Sequence, residues 1–551
     1  MSLIRATACA QSVRAVAHRY APGMHTRRTP RRTRTAAALF TAAALSLAGC
    51  SSGTSTSTAS SPVAGAAAAL APLPGPTPAA LAGYYAQEPA WRDCGVPEFQ
   101  CATVKAPLDY AEPSAGDVRL AVARKKATGP GKRLGSLLVN PGGPGGSAVD
   151  YLQMYAGIGY PEEVRARYDM VAVDPRGVAR SEPVECLDGR AMDAYTRTDT
   201  TPDDEKETEA LVSAYRTFAE GCGAKAPKLL RHVSTVETAR DMDIVRAVLG
   251  DEKLTYVGAS YGTLLGATYA GLFPERTGRL VLDGAMDPSL SARRLNLEQT
   301  EGFATAFTAF AKDCVRRSDC PLGDKGTSPE RVGENLKTFF GKLDARPLPA
   351  GDADGRELTE SLATMGVIAA MYDEAAWQRL REALTSAMKE NDGAGLLVLS
   401  DSYYEREAGG AYSNLMSANA AVNCLDLPPA FEAPEQVREA LPDFEKASPV
   451  FGEGLAWAAL NCAYWPVRAT GEARRIEAKG AAPIVVVGTT RDPATPYRWA
   501  KGLAGQLSSA RLLTYDGDGH TAYGRGSSCI DSAINTYLID GTPPADGKRC
   551  S

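Results

Sequence analysis

Ser260 sits at the centre of Gly258-Ala-Ser260-Tyr-Gly262, a G-x-S-x-G sequence that follows an apolar run. A serine hydroxyl is a poor nucleophile until a positioned base takes its proton, and histidine is the usual base. Beyond the first 50 residues the chain has only two histidines, His232 and His520. The chemistry on offer is acyl transfer, and its base must be one of these two. In a chain with 53 glycines the five-residue pattern arises by chance roughly three times in ten, so its surroundings must supply the specificity.

Those surroundings are strand, tight turn and helix. Leu254–Val257 reads as a buried strand running into Gly258, and a helix is predicted from Thr263 to about Phe273, stopping at Pro274. That is where a nucleophile elbow must lie, with small residues flanking a strained serine. Further strand candidates are Ser136–Val139, Met170–Val173, Leu280–Leu282, Pro483–Val487 and Leu512–Tyr515. Short continuous apolar runs between helical stretches indicate a parallel sheet covered on both faces. Such a sheet places its site beyond the C-terminal strand ends. Asp492 follows the Pro483 strand and His520 follows the Leu512 strand, so the order Ser260, Asp492, His520 is that of an α/β-hydrolase.

In these roles His520 takes the Ser260 proton and Asp492 orients the imidazole. His232 precedes the nucleophile strand, beside the capping box Ser234-Thr-Val-Glu237, and is given a structural role. Asp283, after the strand next to the elbow, is the second choice of acid; Asp516 and Asp518 share the histidine's own loop. The oxyanion of an acyl-transfer intermediate needs preorganised N–H donors. The amide of Tyr261 is one candidate, and the amide of Gly143 in Pro141-Gly-Gly-Pro-Gly-Gly146 is the other. That loop lacks the Gly-Lys-Ser/Thr of a phosphate-binding loop.

The elements that hold these residues suggest an α/β fold with a mostly parallel central sheet, helices on both faces and a large, mainly helical cap. About 200 residues separate the Leu280 and Pro483 strands, whereas one crossover needs roughly 30. Phe303, Phe307 and Phe310, at spacings of four and three, read as the insertion's own core. The expected division is a signal peptide over 1–49, a linker over 50–84, a first core segment over 85–290, the cap over 291–470 and a C-terminal core segment over 471–551.

The first 49 residues hold eight arginines, no lysine and no acid, and a twelve-residue apolar stretch from Ala36 to Leu47. This is the pattern of a signal peptide, with Met24 as an alternative start; the paired arginines leave twin-arginine export open. Leu47-Ala-Gly-Cys50, followed by a Ser/Thr run, resembles a bacterial lipobox, in which Cys50 becomes the lipid anchor. Without the leader the chain carries 52 basic and 65 acidic residues, a net charge of −13 with no basic cluster, which argues against nucleic acid as a partner.

Ten further cysteines, Cys94, Cys101, Cys186, Cys222, Cys314, Cys320, Cys424, Cys462, Cys529 and Cys550, form an even set suited to disulfides in an exported protein. Neighbour pairing in chain order is the simplest connectivity. With no C-x-x-C pair and so few histidines, no metal or other cofactor is expected. A monomer is expected too.

Asn140-Pro-Gly-Gly-Pro-Gly-Gly146, Asp174-Pro-Arg-Gly177 with Ser181, Gly258–Thr263, Phe273-Pro-Glu-Arg276, Leu282-Asp-Gly284 and Asp492-Pro-Ala-Thr-Pro496 together resemble the secreted tripeptidyl aminopeptidases. These belong with the prolyl-aminopeptidase branch of α/β-hydrolase serine peptidases. The resemblance covers about 85–290 and 470–551. It implies removal of short peptides, often tripeptides, from substrates with a free N-terminus, and attachment to the membrane surface by lipid as in some relatives. One departure is Ala179-Arg180, where the family commonly has a glycine. An aminopeptidase also needs an anion for the substrate's α-ammonium; Asp373, Glu374 and Asp426 in the cap are candidates that sequence does not separate. A carboxylesterase with the same triad, and a non-catalytic peptide-binding lipoprotein, are the alternative readings.

Overall fold

The computed structural model describes residues 67–75, 77–351 and 355–551. The leader and Cys50 lie outside the described residues. A ten-stranded sheet forms the centre: β1 (Arg92–Asp93), β2 (Phe99–Pro107), β3 (Asp117–Lys125), β4 (Gly135–Asn140), β5 (Tyr168–Val173), β6 (Leu254–Ala259), β7 (Thr277–Asp283), β8 (Ile484–Arg491), β9 (Ala510–Asp518) and β10 (Lys548–Cys550). Their lateral order is β1-β2-β3-β5-β4-β6-β7-β8-β9-β10. The pairs β1/β2, β2/β3 and β3/β5 are antiparallel, and every pair from β5/β4 onward is parallel.

The apolar runs form central strands because both of their faces are covered. In β8, Val485 and Val487 enter one core cluster while Ile484 and Val486 enter the cluster on the other face. All four are fully buried, and burial of each contributes about 1.5–3 kcal/mol. The parallel register brings Asn140 level with Gly258, and Asp283 level with both Ala259 and Val487. Loops leaving these strands therefore emerge along one edge of the sheet. That edge collects the elbow, the glycine loop, Asp492 and His520.

Two helices frame the nucleophile strand. α1 (Thr235–Val248) begins at Ser234, whose hydroxyl accepts the Glu237 amide at 3.3 Å. α2 (Tyr261–Leu272) begins directly at Tyr261, two residues earlier than the sequence pattern suggests, and eleven of its twelve residues are buried. Between β7 and β8 the regular structure is mainly helical, with one short antiparallel pair, Leu348–Pro349 against Glu357–Leu358. The insertion reaches the site through one helix, α4 (Leu415–Asp426), and through Tyr372, which directly follows α3 (Glu360–Met371). Phe303, Phe307 and Phe310 are buried in a cluster internal to this insertion, with Leu336, Phe339 and Leu380.

The ten cysteines join neighbour to neighbour: Cys94–Cys101, Cys186–Cys222, Cys314–Cys320, Cys424–Cys462 and Cys529–Cys550. Cys529–Cys550 ties the C-terminal helix Ser528–Asp540 to the edge strand β10. Among the described residues no helix is long and apolar enough to cross a membrane.

Candidate active site

Ser260 occupies the one-residue bend between β6 and α2, with φ 57° and ψ −124°. A positive φ is costly for a side chain with a Cβ, and here the surroundings enforce it. The Ser260 amide donates to the Asp283 carbonyl at 2.9 Å, while its own carbonyl accepts the Thr263 amide and hydroxyl at 2.8 and 2.6 Å. The glycine loop closes in from the other side. A side chain at Gly142, where φ is +96°, would meet Ala259 O at 2.5 Å and both Ser260 Cβ and the Tyr261 amide at 2.9 Å. Only glycine allows that approach.

The Gly142 amide is itself committed to Asn140 Oδ1 at 2.9 Å. The adjacent Gly143 amide is thus the loop's candidate donor, with Tyr261 supplying the second from the first turn of α2. The far end of the loop is anchored by Asp174, which accepts from Ser147 Oγ at 2.8 Å and the Val149 amide at 3.0 Å. Burial pushes the Asp174 carboxyl above its ordinary range.

His520 lies in the loop after β9. Its Nδ1 is 2.9 Å from both carboxylate oxygens of Asp492, which is buried. Asp492 Oδ1 also accepts the Ala494 and Thr495 amides at 2.9 and 2.8 Å, and Oδ2 accepts Thr495 Oγ1 at 3.1 Å and the Thr521 amide at 3.3 Å. These donors fix the plane of the carboxylate, whose remaining face is turned to His520 Nδ1. Nδ1 therefore carries the proton that faces Asp492, which leaves Nε2 as the basic nitrogen. Nε2 is buried and makes no hydrogen bond among the described residues. A base held ready for an incoming hydroxyl has this arrangement, since such bonds tighten only with substrate present.

Asp283, the second choice of acid, has a different part. Its carboxylate accepts the Ala522 amide at 2.9 Å and the Tyr523 amide at 2.8 Å, so it holds the loop just beyond His520. Its carbonyl holds the Ser260 amide, so one residue clamps both sides of the site. Burial raises its carboxyl pKa. Asp516 and Asp518 are paired with Arg491 at 3.0 and 2.7 Å.

His232 belongs to another cluster. Its Nδ1 is 3.2 Å from Glu237 Oε1, and its carbonyl accepts from Arg176 at 2.9 Å. The fully buried Arg176 is bidentate to Asp241, at 2.7 and 2.6 Å, and also donates to the Pro107 and Leu108 carbonyls at 3.0 Å. Asp109, His232 and Glu237 offer ligand atoms within 4.8 Å of one another. Arg176 Nη1, however, stands 3.8 Å from the same Glu237 oxygen, a poor place for a second cation.

The insertion contributes residues that the sequence motifs do not reveal. The His520 amide donates to the Tyr372 carbonyl at 2.8 Å, and the two rings meet edge to face at 5.5 Å. Arg525 bridges the His520 carbonyl and Asp373, at 2.9 and 2.7 Å. Ala179, at the departure from the family pattern, has φ 44°, and its amide donates to Asn414 Oδ1 at 2.8 Å. A glycine there would adopt that conformation without steric cost.

A mostly parallel sheet with a strained strand–serine–helix bend, and an acid and histidine at later strand ends, defines an α/β-hydrolase. Residues 448–550 match the family model described as TAP-like protein. The chain is 39% identical over 460 residues to serine protease Hip1 of Mycobacterium tuberculosis strain H37Rv, covering 82% of this chain and 87% of that one. It is 37% identical to carboxylesterase B of the same organism, covering 85% and 90%. With the tripeptidyl aminopeptidase of Streptomyces coelicolor the identity is 31%, covering 84% and 85%. The chain belongs to this TAP-like family of α/β-hydrolases.

Proposed function

We propose that the protein is an exported serine peptidase that removes short peptides, of tripeptide size, from substrates with a free N-terminus. The observation that carries this reading is the pairing of Asp492 with His520 Nδ1 at 2.9 Å, with Nε2 unpartnered, at the sheet edge that also carries the strained Ser260 elbow. Ser260 Oγ attacks the scissile carbonyl as its proton passes to His520 Nε2. The tetrahedral oxyanion is met by the amides of Tyr261 and Gly143. His520 then protonates the leaving amine, the C–N bond breaks, and the shortened chain departs. Water, deprotonated by His520, releases the acyl peptide and restores Ser260.

Of the acids suggested for the substrate's ammonium, Asp373 is paired with Arg525, and Asp426 has both oxygens engaged by Thr235. Glu374 is exposed and has no such partner among the described residues. We assign the ammonium contact to the insertion without choosing among its other carboxylates. Support for export comes from the leader pattern and the five disulfides, and support for a lipid anchor at Cys50 from the lipobox.

Carboxylesterase activity is the second reading, favoured by the 37% identity to a protein named carboxylesterase B. A fluorophosphonate should label the protein and fail to label Ser260→Ala. Turnover of a tripeptidyl arylamide then decides between amide and ester. Strong aryl-ester turnover without release from any unblocked peptide would defeat the peptidase reading.

A further inference from the structure

α4 of the insertion touches the candidate oxyanion hole from both sides. At its start, Asn419 Nδ2 donates to the Pro144 carbonyl at 3.1 Å, and Gly145 backs directly onto the Leu415 carbonyl. At its end stands Asp426. One oxygen of Asp426 accepts the Thr235 amide at 2.8 Å, and the other accepts the Thr235 hydroxyl. Thr235 Oγ1 is in turn 2.7 Å from the hydroxyl of Tyr261, whose side chain is buried. An ionised carboxylate has no proton to give, so the polarity of the chain is set. Tyr261 donates to Thr235, and Thr235 donates to Asp426.

The end of α4 is fixed in place. Cys424, two residues before Asp426, is bonded to Cys462. The Leu425 carbonyl accepts the Thr470 and Gly471 amides at 2.9 and 3.1 Å. Asp426 is therefore a fixed point from which a directed pair of hydrogen bonds runs to the residue whose amide faces the oxyanion. Tyr261 follows the strained Ser260, and its backbone can turn only as far as its side chain allows.

We infer that Asp426 is a positioning residue for the oxyanion hole, acting through Thr235 on Tyr261, so that the insertion sets the efficiency of the chemical step as well as covering the site. This rests on the triad and oxyanion roles proposed above. Burial works against the charge, pushing the Asp426 carboxyl up to about 6 with Glu237 on α1 the like charge that faces it, while the two Thr235 hydrogen bonds oppose that shift. The carboxylate is thus charged at neutral pH and able to hold both donors. If Asp426 only satisfied the first amide of α1, losing its charge would cost stability and leave the turnover of folded enzyme intact.

The test is steady-state kinetics of the full exported chain on a tripeptidyl arylamide and an aryl ester, with active sites counted by fluorophosphonate. Asp426→Asn, Thr235→Val and Tyr261→Phe should each lower kcat about tenfold to a hundredfold, less than the loss of an oxyanion donor outright. KM should stay within about twofold. The ester should suffer as much as the amide, since both form the oxyanion. Thr235→Ser keeps the hydroxyl and should retain kcat. The double variant Asp426→Asn/Tyr261→Phe should be no worse than Asp426→Asn, because the two act along one path.

Affinity for a peptidyl trifluoromethyl ketone, which forms an oxyanion on Ser260, should fall in step with kcat/KM. Wild-type kcat per labelled site in Asp426→Asn would overturn the inference. So would additive losses in the double variant, or a KM increase confined to free-amine peptides, which would make Asp426 the ammonium contact. Labelling that persists in Ser260→Ala would instead defeat the triad, and is read separately.

Discussion

Replacing Asp492 by asparagine changes one atom, and the structure dictates where that atom goes. Asp492 Oδ1 faces two backbone amides, those of Ala494 and Thr495, at 2.9 and 2.8 Å. The amide group of an asparagine cannot point its own N–H bonds at those donors, so its oxygen keeps that side. Nδ2 then takes the Oδ2 position, 2.9 Å from His520 Nδ1. Oδ1 lies as close to Nδ1, but its two lone pairs are taken by those amides, so Nδ2 donates to Nδ1 and pushes the ring proton to Nε2, which can then no longer take the Ser260 proton.

A histidine held in the wrong tautomer costs about 10⁴ in kcat in the serine-protease case, equivalent to about 5.4 kcal/mol of transition-state stabilisation. The Thr521 amide, 3.3 Å from Oδ2, loses its acceptor, a stability cost of about 1 kcal/mol. Asp492→Asn should therefore fold, bind substrate with KM within about threefold, and turn over about 10⁴ more slowly. Fluorophosphonate labelling should slow with it, because it needs the same activated serine. Turnover within tenfold of wild type, or a loss confined to KM, would refute the reasoning.

Other substitutions separate the site from its supports. His232→Ala should leave kcat and KM within about twofold and lower stability by no more than about 1 kcal/mol, since the Arg176 bond is to the His232 carbonyl, which any residue supplies. Asp283→Ala should cost about 2–4 kcal/mol by orphaning the buried Ala522 and Tyr523 amides. It should also lower kcat more than it raises KM, because the loop beyond His520 loses its hold.

Glu360 makes a prediction about pH. Burial pushes its carboxyl up to about 7, with Asp199, Asp344 and Glu453 adding like charge, and its Oε2 has no hydrogen-bond partner among the described residues. The folded-state pKa lies above the unfolded one, so the fold is favoured at low pH and loses stability as pH rises from about 4.5 to about 7. Glu360→Gln should therefore raise Tm at pH 8, by up to about 3 kcal/mol of stability, and leave it nearly unchanged at pH 4. An equal shift at both values would contradict this.

The parallel strands β4 to β9 were legible in the sequence because they appear as continuous apolar runs, whereas the short and largely exposed edge strand β10 was not. Each such run falls in a strand of the structure, except that Pro483 precedes β8; β8 and β9 also extend further, to Arg491 and Asp518. The antiparallel strands β2 and β3 escaped. Asp117-Val-Arg-Leu-Ala-Val122 buries alternate residues, and a search for unbroken apolar runs passes over that pattern. The helical insertion was legible as a length excess and an aromatic spacing.

In the candidate site, Asp492 and His520 announce themselves by following strands, and Ser260 by its glycines. Thr495 is signalled more faintly, as the residue three places after an aspartate that turns back on its own backbone. Tyr372, Asn419 and the Asp426–Thr235–Tyr261 chain carry no local signal. They meet the site through contacts among α1, α2, α4 and the residue after α3 that sequence spacing does not encode. The role of Asp283 was half legible: its strand-end position pointed to the site, and only the structure distinguishes gripping the loop from gripping the ring.

The most direct test of the central claim is mass spectrometry of the products formed from one peptide offered with a free N-terminus and the same peptide N-acetylated, using the wild-type enzyme and Ser260→Ala. The account predicts a released tripeptide and a chain shortened by three residues from the free peptide, little or no product from the acetylated one, and none from either with Ser260→Ala. Equal cleavage of the free and acetylated peptides, or cleavage that survives Ser260→Ala, would contradict it.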